Sequence, residues 1–317
     1  MQPSQGSSTG WSTTVNRVIL ALRFSLVPLL ACAAACSTPA MTRGGSDQSQ
    51  PCPICGLHHE HGTRAETDIL RAEDVEWTPL NPARGDKSPQ AANLWGDRTE
   101  SGATGFLVKF VDGFSSPPHI HNVTYRGVVL GGEVHNDDPT AAMMWMPPGS
   151  FWTQPAGEVH ITAARGSTNI AYIEIDSGPY LVHPPEQAFD QGERPVNVHD
   201  SNMVWIRDAN LVWVKQDLGV EIAYLWGSPD NGRPYGLMVR VPPGFGGTIR
   251  HERGPFRAII VDGTLQHSDE QAHEATHLGT GSYLGTASES SGSTSLTSSS
   301  GAILYVRAAS ALELSAD

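Results

Sequence analysis

Cysteine is confined to the first 55 residues, at Cys32, Cys36, Cys52 and Cys55. The rest of the chain can form neither a disulfide nor a thiolate site, so any fold there stands on packing alone. Positive charge is scarce as well: 20 Lys and Arg face 33 Asp and Glu, for a net charge of −13 over 317 residues. That balance argues against nucleic acid as a partner, because phosphate binding rests on clustered cations. Also missing is an apolar run long enough to act as a mature membrane anchor. Arg17 precedes only Val18 to Leu22, and Arg23 precedes only Phe24 to Ala35. The length suits two domains of roughly 100–150 residues.

What stands at the N-terminus is a processing segment. Residues 1–35 carry only Arg17 and Arg23 as charges and read as an export signal. Ala33-Ala34-Ala35-Cys36 resembles the lipobox of bacterial lipoproteins and makes Cys36 the expected lipidation site, with Cys32 the alternative. The expected location is the bacterial cell envelope, lipid-anchored or periplasmic and secreted, with the membrane a partner through the anchor. Residues 36–68 are rich in Ser, Gly, Pro, Gln and His without apolar period, which predicts a flexible linker. Within it Cys52, Cys55, His58, His59 and His61 form a cluster of soft and borderline donors. It is read either as a secondary metal site or, in an oxidising compartment, as a small disulfide loop or free thiols.

From Ile69 onward the chain repeats itself. Leu94-Trp95-Gly96 returns as Leu225-Trp226-Gly227, Gly113-Phe114 as Gly244-Phe245, and Gly132 as Gly263, each offset by 131 residues. Gly105 to Phe110 matches Gly236 to Val241 in the same register. Short β-type runs bounded by Gly and Pro, with few helical periods, predict an all-β protein of two tandem barrels, residues 69–190 and 191–317.

The chemistry gathers in the first copy. His119 and His121, one residue apart on a strand, point to the same face, and His160 on a neighbouring strand can complete a facial metal site. The segments Gly113-x5-His119-x-His121-x3-Tyr125-x5-Gly131 and Pro155-x-Gly157-x2-His160 resemble the two motifs of a cupin. With the duplication, they make the chain resemble a bacterial ChrR-like bicupin, a cupin family of unknown function built from duplicated RmlC-like jelly-roll barrels. The resemblance covers residues ~70–315 and implies a divalent ion, iron, manganese or zinc, on His119, His121 and His160. The sequence departs from the pattern at Tyr125, where metal cupins usually offer a glutamate. Three neutral imidazoles leave an ion more electrophilic, as in three-histidine dioxygenases, and Tyr125 is the candidate catalytic residue, as a phenolate ligand or a hydrogen-bond partner of bound oxygen. Glu133 and Glu158 are further acid/base candidates or solvated strand ends, and His135 reads as a surface loop residue.

The 131-residue offset places Arg250, Glu252 and Phe256 where His119, His121 and Tyr125 stand, so the second copy is expected to have lost its metal and to buttress the first. An Arg250–Glu252 salt bridge is expected there, and His267, His273 and His277 read as a solvated loop. Two functions remain open. One is an exported metal-dependent enzyme, an oxidoreductase of dioxygenase type acting on a small oxygenated molecule. The other is a non-catalytic lipoprotein that binds or senses a small ligand or metal. A homodimer is compatible with either.

Overall fold

The computed structural model describes residues 67–215, 217–268, 275–287 and 290–316. The signal, Cys36 and the Cys52, Cys55, His58 and His61 cluster lie outside the described residues, as does His273. Among the described residues helix is limited to short 3-10 turns, such as Pro82–Lys87, and no helix is long and apolar enough to cross a membrane.

The protein is all-β. In the first half, seven strands pair in the order Val196–Val198, Phe151–Gln154, Tyr125–Asp137, Ile161–Ile175, Thr104–Phe110, Gln90–Trp95 and Thr78–Pro79. The two longest, Tyr125–Asp137 and Ile161–Ile175, pair antiparallel throughout but slip register between Val129 and Gly131 and again between Gly131 and Glu133. Those bulges bend the ribbon so that the same strands serve two walls of a curled sheet. Gly132 sits at the bend with φ 66°, where a Cβ would collide with Asn169 and the Thr168 carbonyl.

The second half repeats this order around Glu221–Trp226, Tyr235–Val241, Ala302–Ala308 and Phe256–Ser268. Phe256–Ser268 slips register between Ile260 and Asp262, and Gly263 has φ 79° at its bend. The serine- and threonine-rich Gly292–Ser298 is a strand between Phe256–Ser268 and Phe245–His251, with Thr294, Leu296 and Ser298 alternately buried. Two connections cross the middle: Asp68–Leu70 pairs with Tyr283–Gly285 of the second half, and Val196–Val198 still pairs with Phe151–Thr153 of the first.

Alternation along each strand sorts side chains between two apolar layers. Phe106, Val108, Tyr125, Val129 and Ile173 face the interior of the first half. Leu107, Val128, Leu130 and Tyr172 face outward and pack against Met238, Ile259, Val261 and Tyr305 of the second. Both faces are therefore buried, and the strands read as nearly continuous apolar runs. The seam between the halves also holds matched polar contacts. Trp95 Nε1 donates to Tyr172 Oη at 3.1 Å, and Trp226 Nε1 to Tyr305 Oη at 2.8 Å. Arg126 lies 3.7 Å over the Trp226 ring and Arg257 lies 4.4 Å over Trp95. At the centre the fully buried Glu174 accepts from Tyr172, Tyr305 and Arg307 at 3.1, 2.9 and 3.0 Å, so its charge is fully partnered.

Three expectations are corrected here. His135 is not on a surface loop: it lies in Tyr125–Asp137, 1% exposed, with Nδ1 3.2 Å from the Met144 carbonyl. Arg250 meets Glu313 at 3.8 Å and Ser315 at 3.2 Å rather than Glu252, because its strand pairs with Leu312–Ala316. His267 and His277 belong to a hairpin, Phe256–Ser268 with Thr276–Gly279, and His267 is buried. For His135 and Arg250 pairing with a strand distant in sequence decides the environment, and for His277 a local hairpin does.

Candidate metal centre

Three backbone placements build the site. His119 and His160 exchange both backbone hydrogen bonds, each 3.0 Å, which locks the two loops together. The short strand Ile120–His121 pairs with Val182–His183, and Asn122 clamps the same segment through Pro179 and Leu181. Gly157, at φ 76°, donates its N–H to the His121 carbonyl at 2.8 Å and so brings the Pro155-to-His160 turn beneath His121. The three rings then stand with centroids 4.3, 5.1 and 5.3 Å apart, and their ligand nitrogens lie within 4.8 Å of one another. Among the described residues this is the one cluster of three or more groups with metal-ligand character.

The tautomers follow from the partners. Nδ1 of His119 sits 2.9 Å from the Pro117 carbonyl, that of His121 3.1 Å from the Leu181 carbonyl, and that of His160 3.0 Å from the Glu158 carbonyl. A carbonyl only accepts, so each Nδ1 carries the proton and each Nε2 presents a lone pair. Burial holds all three imidazoles neutral. It depresses His119, pushes His121 well below the usual range with help from its two neighbours, and takes His160 down to about 3. Three neutral Nε2 lone pairs, oriented by backbone carbonyls, are the donor set that a divalent iron, manganese or zinc ion takes, so the residues fit the group.

Two phenols complete the face. Tyr125 Oη donates to Asn136 Oδ1 at 2.8 Å and lies 3.3 Å from His160 Nε2. Asn136 is held in turn by Gln154 and Thr162, both at 2.8 Å, and burial raises the Tyr125 pKa so that the phenol stays protonated. Tyr180, which neither motif contains, stacks on His121 at 4.2 Å and donates to its Nε2 at 3.1 Å. The only hint of it in the sequence is the Gly178-Pro179-Tyr180 turn, and nothing there indicates that the chain returns to His121. Glu133 is paired with Arg165 at 2.6 Å on the surface, and Glu158 contributes its carbonyl to His160 rather than its carboxyl to the cavity.

His119 and His121 open into a cavity of about 590 Å³ walled by Val108, Phe110, Phe114, Trp152 and Ile173, while His160 is fully buried beside them and not part of its lining. Residues 68–315 match the family described as Domain of unknown function (DUF4437). The chain belongs to the DUF4437 family. No curated protein matches this DUF4437 chain. Its solved structural neighbours share the cupin jelly-roll fold at low identity. A dioxygenase candidate from Nostoc punctiforme is 13% identical, with TM-score 0.57 over 77% of this chain and 82% of that one. Salicylate 1,2-dioxygenase from Pseudoaminobacter salicylatoxidans is 14% identical, with TM-score 0.51 over 77% and 81%. Oxalate decarboxylase from Lactobacillus farciminis is 10% identical, with TM-score 0.51 over 79% and 88%. The DUF4437 chain thus has a cupin-type fold and a histidine cluster suited to a divalent metal.

A larger concavity, about 810 Å³, lies in the second half among Lys215, Arg250, His251, Glu252 and Glu313. Its charges are mixed and its single histidine stacks on Phe256 at 5.6 Å, with Nε2 3.3 Å from Thr286 Oγ1. Size alone does not make it the reactive site, because among the described residues no group of three metal-capable side chains forms there.

Proposed function

We propose that this protein is an exported, three-histidine metal-dependent oxidoreductase of dioxygenase type that acts on a small oxygenated molecule. The carrying observation is the pinning of all three Nδ1 atoms by backbone carbonyls, which leaves three Nε2 atoms within 4.8 Å of one another beside a largely apolar cavity that His119 and His121 line. His119, His121 and His160 hold the ion, and iron is the metal that suits this chemistry best. When bound, a divalent ion supplies open positions and Lewis acidity for an oxygenated substrate and O₂. The chain's own contribution is positioning. Tyr125 keeps its proton on Asn136 and presents only its oxygen to this face, whereas Tyr180 is freed to donate to an oxygen on the substrate once an ion takes the His121 Nε2 lone pair, and aromatic walls line the cavity. The dioxygenases among the structural neighbours are consistent with this reading on the level of fold.

The matching registers of the two halves, with equivalent bends at Gly132 and Gly263 and equivalent indole–phenol contacts at Trp95 and Trp226, support descent from a duplicated barrel, as in ChrR-like bicupins. The signal-like segment and Cys36 support a lipid-anchored protein of the bacterial envelope. Membrane-fraction mass spectrometry of the native chain beside Cys36→Ser tests that placement.

Oxygen uptake by iron-loaded protein, screened over small hydroxy- and oxo-acids, tests the activity. Uptake that needs both iron and His160 supports the enzyme. Iron held at one per chain without any uptake would favour the ligand- or metal-sensing alternative instead.

A further inference from the structure

The wall of the histidine cavity is unusual in its charge. The chain carries 33 acidic residues, yet none of the residues that line this cavity is Asp or Glu. A single cation, Arg84, stands at its mouth on the 3-10 turn Pro82–Lys87. Arg71, Arg126 and Arg165 of the same half each meet a carboxylate within 3.0 Å, whereas the contact of Arg84 is with the face of Phe114, 5.5 Å from the ring centroid. The rest of the lining is mainly apolar and aromatic, with Val108, Phe110, Phe114 and Ile173, and its other polar groups, such as Asn81, Ser116 and Thr162, are uncharged. An acid-free well with one cation at the rim, in a strongly acidic protein, repels nothing negative and offers a planar fork for two oxygens.

We propose that Arg84 is a specificity determinant that receives the carboxylate of a flat, apolar monocarboxylic acid, whose ring or hydrocarbon body lies against the wall that the touching rings of Phe110 and Phe114, 5.2 Å apart, form with Val108 and Ile173. The assignment names the substrate class of the site in the preceding section and rests on that reading for its metal, although the recognition step belongs to Arg84 itself. A neutral analogue of equal shape loses the charge-assisted contact, which is worth about a tenfold difference in affinity.

The matched pair 2-naphthoate and 2-naphthamide tests this, by fluorescence titration of the full chain with and without added iron or zinc. The expected result is about tenfold tighter binding of the acid in both states, abolished in Arg84→Met and partly kept in Arg84→Lys. Arg84→Met should still take up one metal ion per chain, which shows that the variant is folded and that the histidines are intact. Equal affinity for acid and amide in the native chain overturns the assignment, and so does binding of neither compound. A preference that survives in Arg84→Met also overturns it, since the ion rather than the arginine then selects the carboxylate. A chain that takes up no metal but retains an Arg84-dependent preference contradicts the metal reading and leaves this assignment standing.

Discussion

The two halves share strand order, bends and seam contacts, yet fill their interiors in opposite ways. In the second half Ile222, Leu237, Val239, Ile249, Phe256, Ile260 and Leu304 close the space with hydrocarbon. In the first, the position equivalent to Phe256 is Tyr125, and the interior gives way to three imidazoles, two phenols and a cavity of about 590 Å³. A fully buried Leu or Ile contributes about 1.5–3 kcal/mol, so the filled interior of the second half adds stability that the space around the histidines forgoes. The first half gives up that contribution to hold neutral donors in fixed orientation. One scaffold thus separates support from chemistry, and the buried Glu174–Arg307 pair with its flanking tyrosines holds the two together.

The largest effect should come from emptying the hydrocarbon interior of the second half. Leu304→Ala empties a fully buried position in the second half and is expected to cost about 2–5 kcal/mol in urea unfolding. His160→Ala in the metal-free chain should cost clearly less, because it removes a polar ring rather than hydrocarbon from the interior, while abolishing metal uptake. Equal costs would mean that the first interior is as tightly committed to packing as the second.

A smaller effect is expected from pH. The folded-state pKa values of His119, His121 and His160 lie below the unfolded value of about 6.5, so the unfolded chain binds more protons as pH falls. The metal-free fold should therefore hold its stability above about pH 6.5 and lose it progressively below, with the His160 contribution levelling off only near pH 3. Urea midpoints at pH 7.5 and 5 check this, and His160→Gln should flatten the decline. A midpoint independent of pH would contradict the neutral triad.

The smallest expected change comes from Tyr180→Phe. It keeps the stack on His121 but removes the hydroxyl beside Nε2, which should alter metal affinity by about tenfold or less and leave the unfolding midpoint within about 0.5 kcal/mol. Competition with a chromophoric chelator measures it.

The sequence carried the histidine trio because alternation on a strand is local: His119 and His121 share a face whatever lies opposite. The 131-residue offset carried the repeated strands for the same reason, since glycine bends and apolar runs are local signals. Tyr180 and Arg84 were not legible, because one reaches the site through the pairing of Ile120–His121 with Val182–His183 and the other through a turn that borders the cavity. Gly292–Ser298 shows the same limit from the other side. Its composition reads as a polar tract, yet its alternate positions are buried between two partner strands, and β-branched threonine suits that setting.

The most direct test of the account is the metal content of the purified chain, measured by elemental analysis after expression with iron, manganese and zinc available, beside the His119→Ala/His121→Ala variant. One divalent ion per native chain and none in the variant is the predicted result. Absence of metal from the native chain, or retention of a full equivalent by the variant, would contradict a metal centre at these three histidines.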